Sequence, residues 1–254
     1  MANRSRRTLR LRVSLQSSGS WEWPWETLYD HGFLALSPEL SLVRWTFVPR
    51  PVPRARLFFH PRVLVAVAPP DRRGETYIER EVNAIEEALK GRLELKVLYG
   101  RTLHEFHAAL TKPVHILHLI GPWTLDRRQE GRDSPPEPSQ RVEGNREGDD
   151  LVAILKKRRA PSLVVLEGFP SGPPTPNAAA GIAQRLAGKG IPAVLATQFP
   201  ELNEPVVGFI RTLYRALATG DPVDRAVWAA RQGAAAPDCA TAWSKPVLHL
   251  AGNR

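Results

Sequence analysis

Residues 62–68 read Arg-Val-Leu-Val-Ala-Val-Ala, a nearly unbroken apolar run. Apolar side chains at successive positions mean burial on both faces, the condition of a strand inside a parallel sheet. Ile78, Val82, Ile85 and Leu89 then recur at spacings of 4, 3 and 4 and form one helical stripe. The alternation continues. Strands are predicted at 93–99, 114–120, 162–166 and 191–197. Thr102 caps a short helix, a second begins near Asp150, and a third runs from Asn177 with Ile182 and Leu186 on one face and Gly188 or Gly190 as its stop. Val206, Ile210, Leu213 and Leu217 mark a further helix that ends at Gly220. Asp221-Pro222 opens a last one in the N-cap and N1 arrangement, and its alanines (Ala226, Ala229, Ala230) predict close packing. Val247–Leu250 is a final strand. Strands alternating with helices imply a mostly parallel sheet covered on both faces, an α/β fold in three layers.

The first quarter follows a different pattern. The run Leu-Arg-Leu-Arg-Val-Ser-Leu-Gln from Leu9 to Gln16 alternates with the period of a half-buried strand. Phe33–Leu36 and Leu40–Trp45 are short apolar runs that suit a hairpin. Residues 1–48 are therefore expected as a β-rich N-terminal extension. Residues 49–62 hold four prolines and four arginines and are expected as a linker. From 63 to 254 the chain is a single α/β core. It is interrupted at 122–149, where Pro135, Pro136, Pro138 and charges of both signs leave little apolar surface to offset ordering entropy, as in a mobile loop.

Composition narrows the function classes. The 254 residues are enough for one large domain, and no apolar run approaches the length needed to span a bilayer. The basic start (Arg4, Arg6, Arg7) leads into Leu-Arg-Leu-Arg rather than an apolar leader core, so a cytoplasmic protein is expected. Cys239 is the sole cysteine, which excludes an intrachain disulfide and a thiolate metal cluster. The net charge of +9 favours solubility and weak attraction to anions. Arginines at 4, 6, 7, 10 and 12 keep nucleic acid open as a partner but do not favour it, since no nucleic-acid motif or interleaved aromatic accompanies them.

In an open α/β sheet, chemistry sits beyond the carboxyl ends of the strands. Those ends are Gly121-Pro122-Trp123 and Glu167-Gly168-Phe169-Pro170-Ser171. Neither offers a base and a nucleophile together. His104 and His107 lie three apart with no third metal ligand evident nearby in sequence. Ala187-Gly188-Lys189-Gly190 lacks the spacing and the hydroxyl residue of a phosphate loop. Cys239, beyond the last long helix, is expected to be structural. Neither a metal nor a cofactor is expected.

Three sets of residues carry a resemblance. The first is Trp23-Pro24-Trp25-Glu26-Thr27-Leu28-Tyr29-Asp30 followed by Gly32-Phe33-Leu34-Ala35-Leu36 and Leu42-Val43-Arg44. The second is Gly181-Ile182-Ala183-Gln184-Arg185-Leu186 leading to Gly190-Ile191-Pro192-Ala193-Val194-Leu195-Ala196. The third is Phe209, Tyr214-Arg215-Ala216-Leu217, Gly220-Asp221-Pro222-Val223, Ala226, Trp243 and Pro246-Val247-Leu248. In that order they resemble the CHAT family of caspase-like (clan CD) proteins over nearly the whole chain. The resemblance implies a caspase-like sheet and, in active members, a Cys–His protease whose strand ends read His-x-x-Gly-His-Gly and Asn-Ala-Cys. Here those ends read His118-Leu119-Ile120-Gly121-Pro122-Trp123 and Leu166-Glu167-Gly168-Phe169-Pro170-Ser171, which puts Pro122 at the histidine position and Phe169 at the nucleophile position. Proline and phenylalanine can neither attack a carbonyl nor move a proton.

The resemblance therefore implies a pseudo-protease that binds a protein partner in a prokaryotic signalling or defence assembly. Family members often act with helical-repeat proteins, and any such partner would be a separate chain. The candidate cleft comprises His118, Pro122, Trp123, Glu167, Phe169 and Ser171. A hydrolase with a noncanonical site is the alternative, through a Ser171–His118 pair or Cys239. The resemblance also implies that the Trp-Glu segment near residue 25 packs within the fold. That leaves Trp21 and Trp123 as surface aromatics.

Overall fold

The apolar runs become strands because only a sheet covered on both sides buries every position of a run. The computed structural model describes residues 9–14, 23–52, 61–67, 75–99, 103–121, 151–155, 160–167, 178–197, 204–235 and 241–253. Eight strands form one sheet: β1 (Leu9–Val13), β2 (Leu40–Phe47), β3 (Arg62–Val67), β4 (Glu94–Tyr99), β5 (Ile116–Ile120), β6 (Leu163–Glu167), β7 (Ala193–Thr197) and β8 (Pro246–Gly252). Their spatial order is β1-β2-β8-β7-β6-β5-β3-β4. Strands β3 to β7 are mutually parallel. β8 pairs antiparallel to β7, and β2 and β1 follow it in parallel. The expected α/β fold with a mostly parallel central sheet is therefore observed.

Alternate side chains feed two separate cores. Val63, Val65 and Val67 of β3, Ile116 and Ile120 of β5, and Leu163 and Val165 of β6 face one side. There they meet helices α1 (Glu75–Leu89), α4 (Glu204–Ala218) and α5 (Val223–Ala234). Leu64, Leu117, Leu119, Val164 and Leu166 face the other side, under α2 (Leu103–Ala109), the helical residues 151–155 and α3 (Ala178–Gly188). The expected stripe on α1 is buried throughout, with Ile78, Val82, Ile85 and Leu89 each at most 6% exposed. The small-residue helix does pack closely. A Cβ added at Gly233 of α5 would lie 2.8 Å from Thr212 Oγ1 of α4.

The N-terminal quarter differs from its expected form in one element. Leu34–Leu36 is a 3₁₀ turn rather than the first strand of a hairpin. The Leu36 carbonyl accepts from Trp228 Nε1 at 3.3 Å and Gln232 Nε2 at 2.7 Å, both on α5, so side chains satisfy what a ladder would have. β2 pairs instead with β1 and β8, and the N-terminal strands are the far edge of the main sheet. The expected mobile loop at 122–149 lies outside the described residues, as do residues 53–60 of the expected linker.

Candidate functional site

The rim where β5 and β6 end is set by sheet register. Ile120 pairs with Glu167, and the Gly121 N–H donates to the Glu167 carbonyl at 2.9 Å. Gly121 has φ +88, a left-handed conformation that glycine adopts without the Cβ penalty. The chain thus leaves the two strands side by side. The two segments that sequence reasoning singled out begin at adjacent points of one rim.

Just inside that rim, five polar side chains from five elements converge on the layer shared with α1 and α4. His118 of β5 is fully buried, and its Nδ1 lies 3.0 Å from the Tyr214 hydroxyl of α4. The two rings stack at 5.8 Å. His118 Nε2 lies 3.2 Å from Glu81 Oε1 of α1. That contact is close but off the line of a hydrogen bond, so both atoms lack an aligned partner. Nε2 protonation lets Nδ1 accept from Tyr214 and turns the N–H toward the carboxylate. Glu167, the last residue of β6, accepts from Thr197 Oγ1 of β7 at 2.9 Å. Burial in this dry layer, with the Glu81 charge close by, pushes the Glu167 carboxyl up to about 8, against the opposing Thr197 hydrogen bond. Burial also holds the Tyr214 hydroxyl well above its ordinary range, with Glu81 and Glu167 adding to the shift.

Two of the predicted cleft residues, His118 and Glu167, are thus brought together in one layer. Both are buried and directed toward the helices rather than outward. Pro122, Trp123, Phe169 and Ser171 lie outside the described residues, as do Cys239 and Trp21. His104 is exposed on α2 and His107 is half-buried. Of the Trp-Glu segment, Glu26 is fully buried, whereas Trp23 is 64% exposed and stacks on Trp25. The expectation of internal packing therefore holds for Glu26 and not for Trp23.

Sequence reasoning missed Glu81, Thr197 and Tyr214. Two of them left a signal. Glu81 stands three residues after Ile78 and four before Ile85, inside the apolar stripe of α1. Tyr214 stands four after Ile210 and three before Leu217 on α4. A charged or hydroxyl-bearing residue on an apolar stripe needs a buried partner. Thr197 carried no such mark.

A parallel sheet with helices on both faces and a rim formed at the ends of β5 and β6 is the architecture of the caspase-like α/β proteins. In agreement, the chain aligns with the solved structure of the Saccharomyces cerevisiae separase–securin complex, at 15% identity over 97% of its length with a TM-score of 0.59. A second structure of that complex gives 15% identity over 97% of the chain and a TM-score of 0.56. The chain spans only 15% and 16% of the separase chains it matches, so the likeness is one of fold. The model of the CHAT domain family matches residues 1–249. The chain belongs to the CHAT domain family. No curated protein matches it by sequence. Among the described residues no helix is long and apolar enough to cross a membrane.

Proposed function

We propose that this CHAT domain is a catalytically inactive, protein-binding subunit. The carrying observation is the pair Pro122 and Phe169 at the two positions where active members hold histidine and cysteine. Register supports the comparison of positions. Gly121 and Glu167, the last described residues before Pro122 and Phe169 in the chain, are hydrogen-bonded, so the two strand ends lie side by side. His118 is the remaining histidine near this rim in sequence. Its imidazole is engaged in the interior by Tyr214 and Glu81, which argues against its use as a base toward solvent. In sequence the two strand ends run into Pro122-Trp123 and Phe169-Pro170, apolar residues whose chemistry suits binding a peptide or partner better than catalysis. The separase structures contain securin, a protein partner of that relative. For this chain the partner is a protein in a cytoplasmic prokaryotic signalling or defence assembly, with a helical-repeat protein on a separate chain as the leading class.

Two assays test the reading. Purified protein offered a broad peptide library and thiol- and hydroxyl-directed active-site probes is expected to give neither turnover nor covalent labelling. Turnover abolished by Ser171→Ala or Cys239→Ser would replace the proposal with a noncanonical hydrolase. A photo-crosslinking residue at Phe169 is expected to capture one partner stoichiometrically, and Trp123→Asp is expected to weaken that capture at least tenfold. Repeated failure to capture any protein would remove the binding half of the proposal.

A further inference from the structure

The layer between the sheet and helices α1 and α4 gathers two buried carboxylates, Glu81 and Glu167. Glu81 is 2% exposed and Glu167 is 5% exposed. Among the described residues, neither pairs with a lysine or an arginine. Glu81 faces the His118 imidazole at 3.2 Å, and Glu167 takes the Thr197 hydroxyl at 2.9 Å. The groups that face this space are Glu81 from α1, His118 from β5, Thr197 from β7 and Tyr214 from α4. The tyrosine remains neutral here, since its hydroxyl is held well above its usual range. Two carboxylate charges are costly in a dry layer where, among the described residues, no lysine or arginine pairs with either, and a proton on one of them relieves that cost. Thr197 suits that arrangement, because a hydroxyl can accept from a carboxylic acid as readily as it donates to a carboxylate.

We propose that the proton on Glu167 is a latch: while it is present α1 and α4 stay seated on the ends of β5–β7, and its loss loosens the rim. Glu167 is the last residue of β6 and so stands at the rim itself. Its backbone carbonyl holds Gly121, so a shift of Glu167 moves the end of β5 as well. The device belongs to the fold and does not require the rim to bind a partner.

The test compares the wild type with Glu167→Gln, which mimics the protonated acid. The folded carboxyl lies at about 8, above its ordinary 4.5, so the folded state holds the proton where the unfolded chain has released it. That stabilisation is complete below pH 4.5 and is lost as the pH rises through about 8. The denaturant midpoint of the wild type is therefore expected to fall relative to the variant across this interval, with the gap constant above it. Amide exchange in 116–121 and 163–167, corrected for intrinsic rate, is expected to quicken above pH 8 in the wild type alone. Glu81→Gln is expected to move the fall to lower pH and shrink it. Parallel midpoint curves, or equal exchange in wild type and variant, would overturn the latch. Should Glu167→Gln fail to fold, infrared spectroscopy of the wild type decides. The carbonyl stretch of a buried carboxylic acid is expected at neutral pH and absent well above it, and its absence at neutral pH overturns the proposal.

Discussion

Arg44 and Glu26 show what one buried residue can demand of a chain. Both side chains are wholly buried. Arg44 Nη2 lies 2.8 Å from Glu26 Oε2, and Nε lies 3.2 Å from Oε1. The same guanidinium donates to the Trp23 carbonyl at 3.1 Å, so one side chain on β2 holds the preceding turn in place. Arg231 of α5 is also buried, donates to the Pro246 carbonyl at 2.9 Å, and feels the Glu26 charge. One carboxylate thus offsets positive charge from two elements. Glu26→Ala is expected to destabilise the protein by about 3–5 kcal/mol, because it leaves buried charge without its carboxylate. Equilibrium denaturation measures this. A loss below about 1 kcal/mol, the range of exposed ion pairs, would show that water reaches Arg44.

Among the elements, β2 and β8 meet closely at one glycine. Phe47 is registered against Gly252, and the Trp45 indole lies over that glycine. A Cβ at 252 would sit 2.5 Å from Trp45 Cη2, closer than two carbons can approach. Arg12 of β1 stacks on the other part of this arrangement, 3.9 Å from the Trp45 ring centroid, so β1, β2 and β8 share one aromatic clamp. Gly252→Ala is expected to cost about 1–3 kcal/mol by overpacking. Adding Trp45→Phe, which removes the obstructing atoms, is expected to recover part of that loss. A double-mutant cycle of unfolding free energies reads the coupling, and additive losses would mean that the backbone at 252 yields instead.

At the scale of the whole molecule, stability responds to pH through two groups in opposite directions. His249 of β8 is fully buried, and burial first, then the nearby Arg44 charge, lower its pKa from 6.5 to about 3. The unfolded chain therefore binds a proton here at pH values where the folded protein does not. The stability this gives is present above pH 6.5 and lost as pH falls toward 3. Glu167 acts with the reverse sign, its contribution falling between pH 4.5 and about 8. His249→Phe is expected to flatten the acid limb of the unfolding midpoint while leaving the alkaline limb unchanged. An acid limb as steep as that of the wild type would assign the loss to other groups.

Much of this molecule was legible in the order of its residues. The runs at 62–68, 114–120, 162–166 and 191–197 are predominantly apolar on both faces, and only strands covered on both sides bury them, so the parallel centre followed directly. The helix stripes and the Gly220 boundary were local signals of the same kind, whereas the N-cap of α5 is Pro222 and not the expected Asp221. That Pro122 and Phe169 stand just beyond the ends of two such runs is likewise a property of the sequence. Only the tertiary structure decided the rest, because it turns on contacts between residues far apart in the chain. It placed β2 between β1 and β8 instead of in a hairpin with residues 33–36, since side chains of α5 take the Leu36 carbonyl that a hairpin ladder would have needed. It also brought Glu81, His118, Glu167, Thr197 and Tyr214 into one layer, although some 130 positions separate the first from the last. A single side chain's type marks it as polar. Whether it meets water, an imidazole or a second carboxylate depends on which helix the sheet carries above it.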